Sequence, residues 1–189
     1  VSSEGWTQLI MEGQPLGTFY TYEFAGYNEK GVSTYYVHDA ETGERTGETT
    51  ASPAFKDRTI TGCAQPKLNL GWNNTFSYRN WSASFFFTGM FGQDVYNGMK
   101  AHYTAPDFFA GGKNVLKEFI TKRPATDTGS NIPSDKFIED GSFLRLQSLT
   151  LGYTFRNLGG WVNRIQLYGT INNVFTITGY DGLDPEVNM

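Results

Sequence analysis

The chain has 189 residues, enough to bury a proper core in one domain or two. Its 15 Lys and Arg against 19 Asp and Glu give a net charge of −4, which argues against a nucleic-acid footprint. A single cysteine, Cys63, rules out an internal disulfide and a thiolate metal cluster. No run of about 18 apolar residues is present, so there is no transmembrane helix; a membrane barrel stays open, because its alternating strands give a weak hydropathy signal. With 15 Phe, 11 Tyr, 4 Trp and 22 Gly, the composition favours strands and turns. Val1-Ser2-Ser3-Glu4 has neither a basic n-region nor an apolar h-region, which fits a non-exported protein or an internal piece of a longer exported chain.

In chain order, residues 6–11 are a short strand candidate, Glu12-Gly13-Gln14-Pro15 a turn, and 16–24 a further strand. A long loop follows, over about 25–66. It carries Tyr35, Tyr36 and His38, and the acidic run Asp39-Ala40-Glu41-Thr42-Gly43-Glu44 is out of register for a calcium loop. From 67 to 79, Leu68, Leu70, Trp72, Phe76 and Tyr78 share one face, with Asn74 the one polar break. Asn69, Gly71, Asn73, Thr75 and Ser77 share the other. Arg79-Asn80 makes a tight turn into a second strand, with Trp81, Ala83, Phe85, Phe87, Gly89 and Phe91 opposite Ser82, Ser84 and Thr88.

The second long loop, about 97–140, contains Tyr103, Phe108 and Phe109, and a predicted helix over 115–122 that Asn114 caps and Pro124 ends. In 143–155, Leu144 and Leu146 hold one phase while Leu149, Leu151, Tyr153 and Phe155 hold the other, so a bulge is expected near Gln147-Ser148. The strand 163–177 sets Ile165, Leu167, Ile171, Phe175 and Ile177 against Gln166, Thr170, Asn172 and Thr176. The expected fold is all-β and antiparallel, with about six long strands and two long loops. Long strands, alternating loop lengths and charge-free apolar faces suit a membrane barrel. A soluble sandwich with both faces partly covered remains open on these residues.

Chemistry is sparse. His38 and His102 stand in no ligand spacing, and no metal or cofactor is expected. Glu139 and Asp140 are adjacent on an extended chain and point to opposite sides, a poor acid–base pair, so no enzyme activity is expected. Asp181, Asp184 and Glu186 either gather for calcium or, the preferred reading, are exposed acids of a Gly/Pro turn. The candidate binding residues are the loop aromatics Tyr35, Tyr36, Tyr103, Phe108 and Phe109, provided that the loops face a cavity.

Gly141-Ser142-Phe143-Leu144-Arg145-Leu146 with Leu149-Thr150-Leu151-Gly152-Tyr153-Thr154 resembles the late-barrel region of SusC/RagA-type TonB-linked outer-membrane proteins. So does Asn172-Asn173-Val174-Phe175-Thr176-Ile177-Thr178-Gly179-Tyr180 with Gly182-Leu183-Asp184-Pro185-Glu186. Weaker likenesses at Gly13-Gln14-Pro15-Leu16-Gly17-Thr18-Phe19-Tyr20, Gly62-Cys63-Ala64-Gln65-Pro66-Lys67 and Phe91-Gly92-Gln93-Asp94-Val95-Tyr96-Asn97 come in the same order. The resemblance implies a 22-stranded barrel filled by an N-terminal plug, importing glycans or peptides with energy from TonB, under a SusD-like surface lipoprotein. Residues 1–189 would then be a fragment of such a barrel, without plug, TonB box or final strand. Its partners would be that lipoprotein and TonB through other parts of the parent chain, outer-membrane lipid, and an oligosaccharide or peptide substrate. The alternative is a soluble carbohydrate-binding β-sandwich that uses the loop aromatics.

Overall fold

The computed structural model describes residues 7–104, 112, 114, 117, 132–156, 159–160 and 162–186. In chain order these form β1 (Thr18–Tyr22), β2 (Phe24–Tyr27), β3 (Ser33–His38), β4 (Arg45–Thr50) and β5 (Arg58–Cys63). Then come β6 (Leu68–Tyr78), β7 (Trp81–Phe91), β8 (Asp94–Tyr96), α1 (Gly98–Tyr103), β9 (Ile138–Asp140), β10 (Phe143–Arg156) and β11 (Arg164–Thr178). The chain divides into two compact units. One, the sheet unit, is Pro66–Gly92 with Gly141–Gly179; the other, the loop unit, takes in Val1–Gln65, Gln93–Asp140 and Tyr180–Met189.

The sheet unit is one antiparallel sheet in the order β11-β10-β7-β6. Residues directly opposite each other lie on the same face, and the register lines up like with like. Tyr78, Trp81, Tyr153 and Leu167 form one row across the four strands. Asn74, Phe85, Leu149 and Ile171 form another, and Trp72, Phe87, Leu146 and Phe175 a third. The bulge lies where the phase change requires it. The register of β10 shifts between Leu146 and Ser148 against both neighbours, so Gln147 drops out of the pairing and the apolar side stays apolar. Opposite it, Asn173 takes φ 51, a left-handed conformation that asparagine tolerates better than most residues.

The apolar face carries no charge and is knitted by rings. Trp72 meets Phe85 and Phe87 at 5.6 and 5.7 Å between centroids, and Trp81 meets Tyr153 edge-on at 4.8 Å. Yet Leu70, Trp72, Phe76, Leu167, Ile171 and Ile177 remain exposed. A soluble sandwich needs a second sheet over such a face, and the sheet unit is a single layer. That alternative is set aside.

The loop unit has a small mixed core around Phe19, Tyr22, Tyr35 and Phe137. β1 pairs with β5, β2-β3-β4 form a meander, and β8 pairs with β9. Buried backbone donors near the strand ends are met by carboxylates. Asp57 accepts from His38 N at 3.0 Å and Ala54 N at 2.7 Å, Asp135 from Phe24 N at 2.8 Å, and Asp94 from Cys63 N at 2.9 Å.

Among the described residues four strands run to 11 residues or more, against about six expected. The expected strand 16–24 is the five-residue β1, and 6–11 contributes a single bridge from Gln8 to Phe19, with Trp6 outside the described residues. Alternation along 16–24 runs on past Tyr22, but Glu23 is pinned sideways by Arg45 and His38, and the chain leaves the β1 pairing there. The long loop 25–66 is itself built of strands, β2 to β5. The predicted helix 115–122 lies, apart from Lys117, outside the described residues. The short helix α1 has no counterpart among the expected elements, because six residues are too few to show a helical period.

Candidate functional site

A site with built geometry lies in the loop unit, around α1. Asn97 caps this helix: its side chain accepts from Lys100 N at 2.9 Å. Thr104 ends it, its hydroxyl donating to Lys100 O at 2.6 Å. The cap orients Lys100 toward Glu139 on β9, with Nζ 2.9 Å from Glu139 Oε1 and 3.7 Å from Asp181 Oδ2. Glu139 is the hub of the cluster. Its other oxygen accepts from Asp181 N at 3.0 Å, while Asn97 Nδ2 donates to Glu139 Oε1 at 3.4 Å and to Asp181 O at 3.3 Å. Burial pushes the Glu139 carboxyl up, but the hydrogen bonds from Lys100 and the Asp181 amide outweigh it and leave the group below its ordinary value. Burial, and then the Glu139 charge, pushes the Tyr180 phenol up; burial alone takes the Tyr96 phenol to about 12.

Beside this cluster opens a cavity of about 420 Å³. Met99, Tyr103 and Leu183 give its apolar wall, and Asn97, Lys100, Lys117 and Asp181 its polar one. A side chain at Gly182 would run into the Tyr180 ring, so glycine is required where the C-terminal segment turns past the cavity. Concave space with an apolar wall and a few convergent polar groups is what small-ligand recognition uses.

The three aromatic candidates among the described residues do not come together. Tyr103 lines the cavity and is 39% exposed. Tyr35 is 0% exposed, packed against Tyr22 and Phe24, so its ring belongs to the core and offers no surface to a ligand. Tyr36 lies 4.4 Å under the Arg45 guanidinium. That arginine also grips Glu23 through two bonds of 2.7 and 2.6 Å, and its hydrogen bonds hold the Glu23 carboxyl below the ordinary range. Phe108 and Phe109 lie outside the described residues. Sequence reasoning missed Asn97 and Lys100. It weighed Glu139 as half of an acid pair and Asp181 as a calcium ligand, whereas both carboxylates face the Lys100 ammonium. Among the described residues no three His, Cys, Asp or Glu side chains gather as a metal site. The one local signal for the cluster was Asn97 ahead of a short apolar-polar run, a helix cap.

The sheet and its register define the class of protein. An uncovered, charge-free apolar face, backed by a face rich in amides and hydroxyls that also carries Arg145, over strands of 11 to 15 residues, is the wall of a membrane-spanning β-barrel. Comparison with known proteins narrows this further. No protein-family model matches the chain. It is 28% identical over 202 residues to TonB-dependent receptor P3 of Formosa agariphila, a match covering 96% of this chain and 20% of that protein. It is 28% identical over 188 residues to TonB-dependent receptor SusC of Bacteroides thetaiotaomicron, covering 93% of this chain and 17% of SusC. The fold superimposes on the RagAB peptide importer in its 'closed-closed' state with a TM-score of 0.70 at 23% identity, covering 96% of this chain and 22% of that one. The chain spans about a fifth of the length of the curated relatives it matches. Relatives named TonB-dependent receptor, SusC among them, thus match most of this chain, and its fold is that of a β-barrel wall of the Gram-negative outer membrane.

Proposed function

We propose that this chain supplies wall strands and mouth loops to an outer-membrane importer, as one segment of a larger barrel. The sheet unit turns its apolar face to lipid and its Asn, Ser, Thr and Gln face to the lumen. The loop unit builds part of the mouth, where the cavity beside Tyr103 and Lys100 contacts cargo. The cargo is a glycan or a peptide, delivered under a SusD-like surface lipoprotein and moved with energy from TonB through parts of the parent outside this chain. The observation that carries the reading is the continuous charge-free apolar face, in register across four strands and left uncovered. Relatedness to SusC along 93% of the chain supports the transport role.

Deletion of the parent gene tests it. Growth on one complex nutrient should fail, and the full-length parent carrying Tyr103→Ala should restore growth with a raised requirement for that nutrient. Normal growth of the deletion strain on a broad panel of glycans and peptides would count against import.

A further inference from the structure

The sheet unit contains no aspartate or glutamate; its charged residues are Lys67, Arg79, Arg145, Arg156 and Arg164. Three of the five gather at one end. Arg79 occupies the two-residue turn between β6 and β7. Arg156 is the last residue of β10 and stands opposite Arg164, the first of β11. Thr154 N donates to Asn80 O at 2.8 Å, which ties the hairpin tip to this same end of β10. With neighbouring strands about 4.8 Å apart, the three guanidiniums share one rim. All three are exposed. Arg79 lies 5.3 Å over the Tyr78 ring and Arg164 donates to Gln166 Oε1 at 3.0 Å. Among the described residues none of the three is ion-paired to a carboxylate.

Two features of this rim are costly, and an anion would relieve the first. Arg156 facing Arg164 is a like-charge cross-strand pair, which repels. Arg79 sits at φ 56, a region where asparagine or glycine is the usual occupant. Immediately inside the rim, Tyr78, Trp81 and Tyr153 close the apolar face with rings. Such rings settle at the boundary between hydrocarbon and headgroups. Cations one step outboard of that girdle stand at the level of lipid phosphates, and their long side chains reach past the strand ends. The girdle is what selects lipid over an acidic protein segment as the partner.

We propose that Arg79, Arg156 and Arg164 form a binding rim for the headgroups of anionic phospholipids, in the leaflet at the short-turn end of the sheet. This rests on the barrel-wall reading and not on the identity of the cargo, so the growth assay and the lipid assay fail independently. The test uses the full-length receptor, purified in detergent and offered phosphatidylglycerol or phosphatidylcholine, with retained lipid counted by native mass spectrometry. Phosphatidylglycerol should be retained in preference. Each Arg→Gln change should weaken that retention roughly fivefold, and the triple variant on the order of a hundredfold. The triple Arg→Lys variant should keep most of it, and Lys67→Gln at the opposite end should change nothing. Heat-modifiable migration on gels shows that each barrel has assembled; if the triple Gln variant does not assemble, the three single variants carry the result. Equal retention by assembled Gln variants overturns the proposal, as does equal binding of the two lipids. Displacement by inorganic phosphate at the lipid's own concentration would mark a simple anion site and also overturn it. So would lowered heat resistance with lipid retention intact, which would assign the arginines to an acidic protein segment.

Discussion

Placing an arginine at Ile171 tests which face of the sheet meets lipid. Ile171 is in the middle of β11, opposite Leu149, in the row that continues through Phe85 to Asn74, and it is 59% exposed. From Trp81 to Phe91, β7 covers ten steps of about 3.4 Å, and a strand tilted by about 40° would cross roughly 26 Å, close to the apolar band of an outer-membrane barrel. Ile171 therefore falls near the midplane, where an arginine on the lipid face costs about 2–4 kcal/mol. On a wet soluble surface the same change would stay within about 0.5 kcal/mol. Its chain neighbour Thr170 points to the other face, its hydroxyl 2.9 Å from that of Thr150. Thr170→Arg loses that one bond, a cost of about 1 kcal/mol. The Ile171→Arg cost of about 2–4 kcal/mol corresponds to roughly 30- to 700-fold in the ratio of folded to unfolded receptor. The assay is guanidinium unfolding of the full-length receptor in lipid vesicles, followed by tryptophan fluorescence. Ile171→Arg should shift the midpoint strongly and Thr170→Arg little. Equal small shifts, or a larger one for Thr170, would refute the assignment of the two faces.

Three further outcomes follow from the loop unit. Tyr35→Ala should cost about 3–5 kcal/mol by emptying a fully buried ring site, and show as faster protease cleavage of the surface loops on intact cells; unchanged resistance would mean the ring is not core. Because Glu139 is held below its ordinary value of 4.5, the unfolded chain binds its proton first as acid is added. Its contribution is complete above that value and is lost as pH falls toward the lower folded value. Protection factors around α1, corrected for the intrinsic pH dependence of amide exchange, should therefore fall in the wild type as pH drops below 4.5, while Glu139→Gln shows the lower protection already at neutral pH. Gly62→Ala should destabilise by about 1–3 kcal/mol, because the new methyl would lie 2.6 Å from Asp94 Oδ2, the acceptor of the Cys63 amide; wild-type thermal stability would contradict that packing.

The sheet is largely legible in the amino-acid sequence. Residue by residue, the two faces of β6, β7, β10 and β11 are as alternation assigns them, and the phase slip from Leu146 to Leu149 locates the bulge. Both are local signals, since a strand's period depends only on its own side chains. The site is much less legible. Nothing in the Tyr35-Tyr36 pair says that the first ring is buried and the second lies under an arginine. Lys100 meets Glu139 from 39 positions away, and Asp181 reaches Glu139 across 42. Such partners carry no periodic signature.

Alternation, strand length and charge-free apolar faces suit a membrane-barrel wall on the residues alone, because lipid constrains each side chain singly, but only the uncovered single-layer sheet set the soluble sandwich aside. The cavity is another matter. It exists only because a capped helix and the turn at Gly182 converge, and convergence of distant segments depends on tertiary packing that no local pattern records.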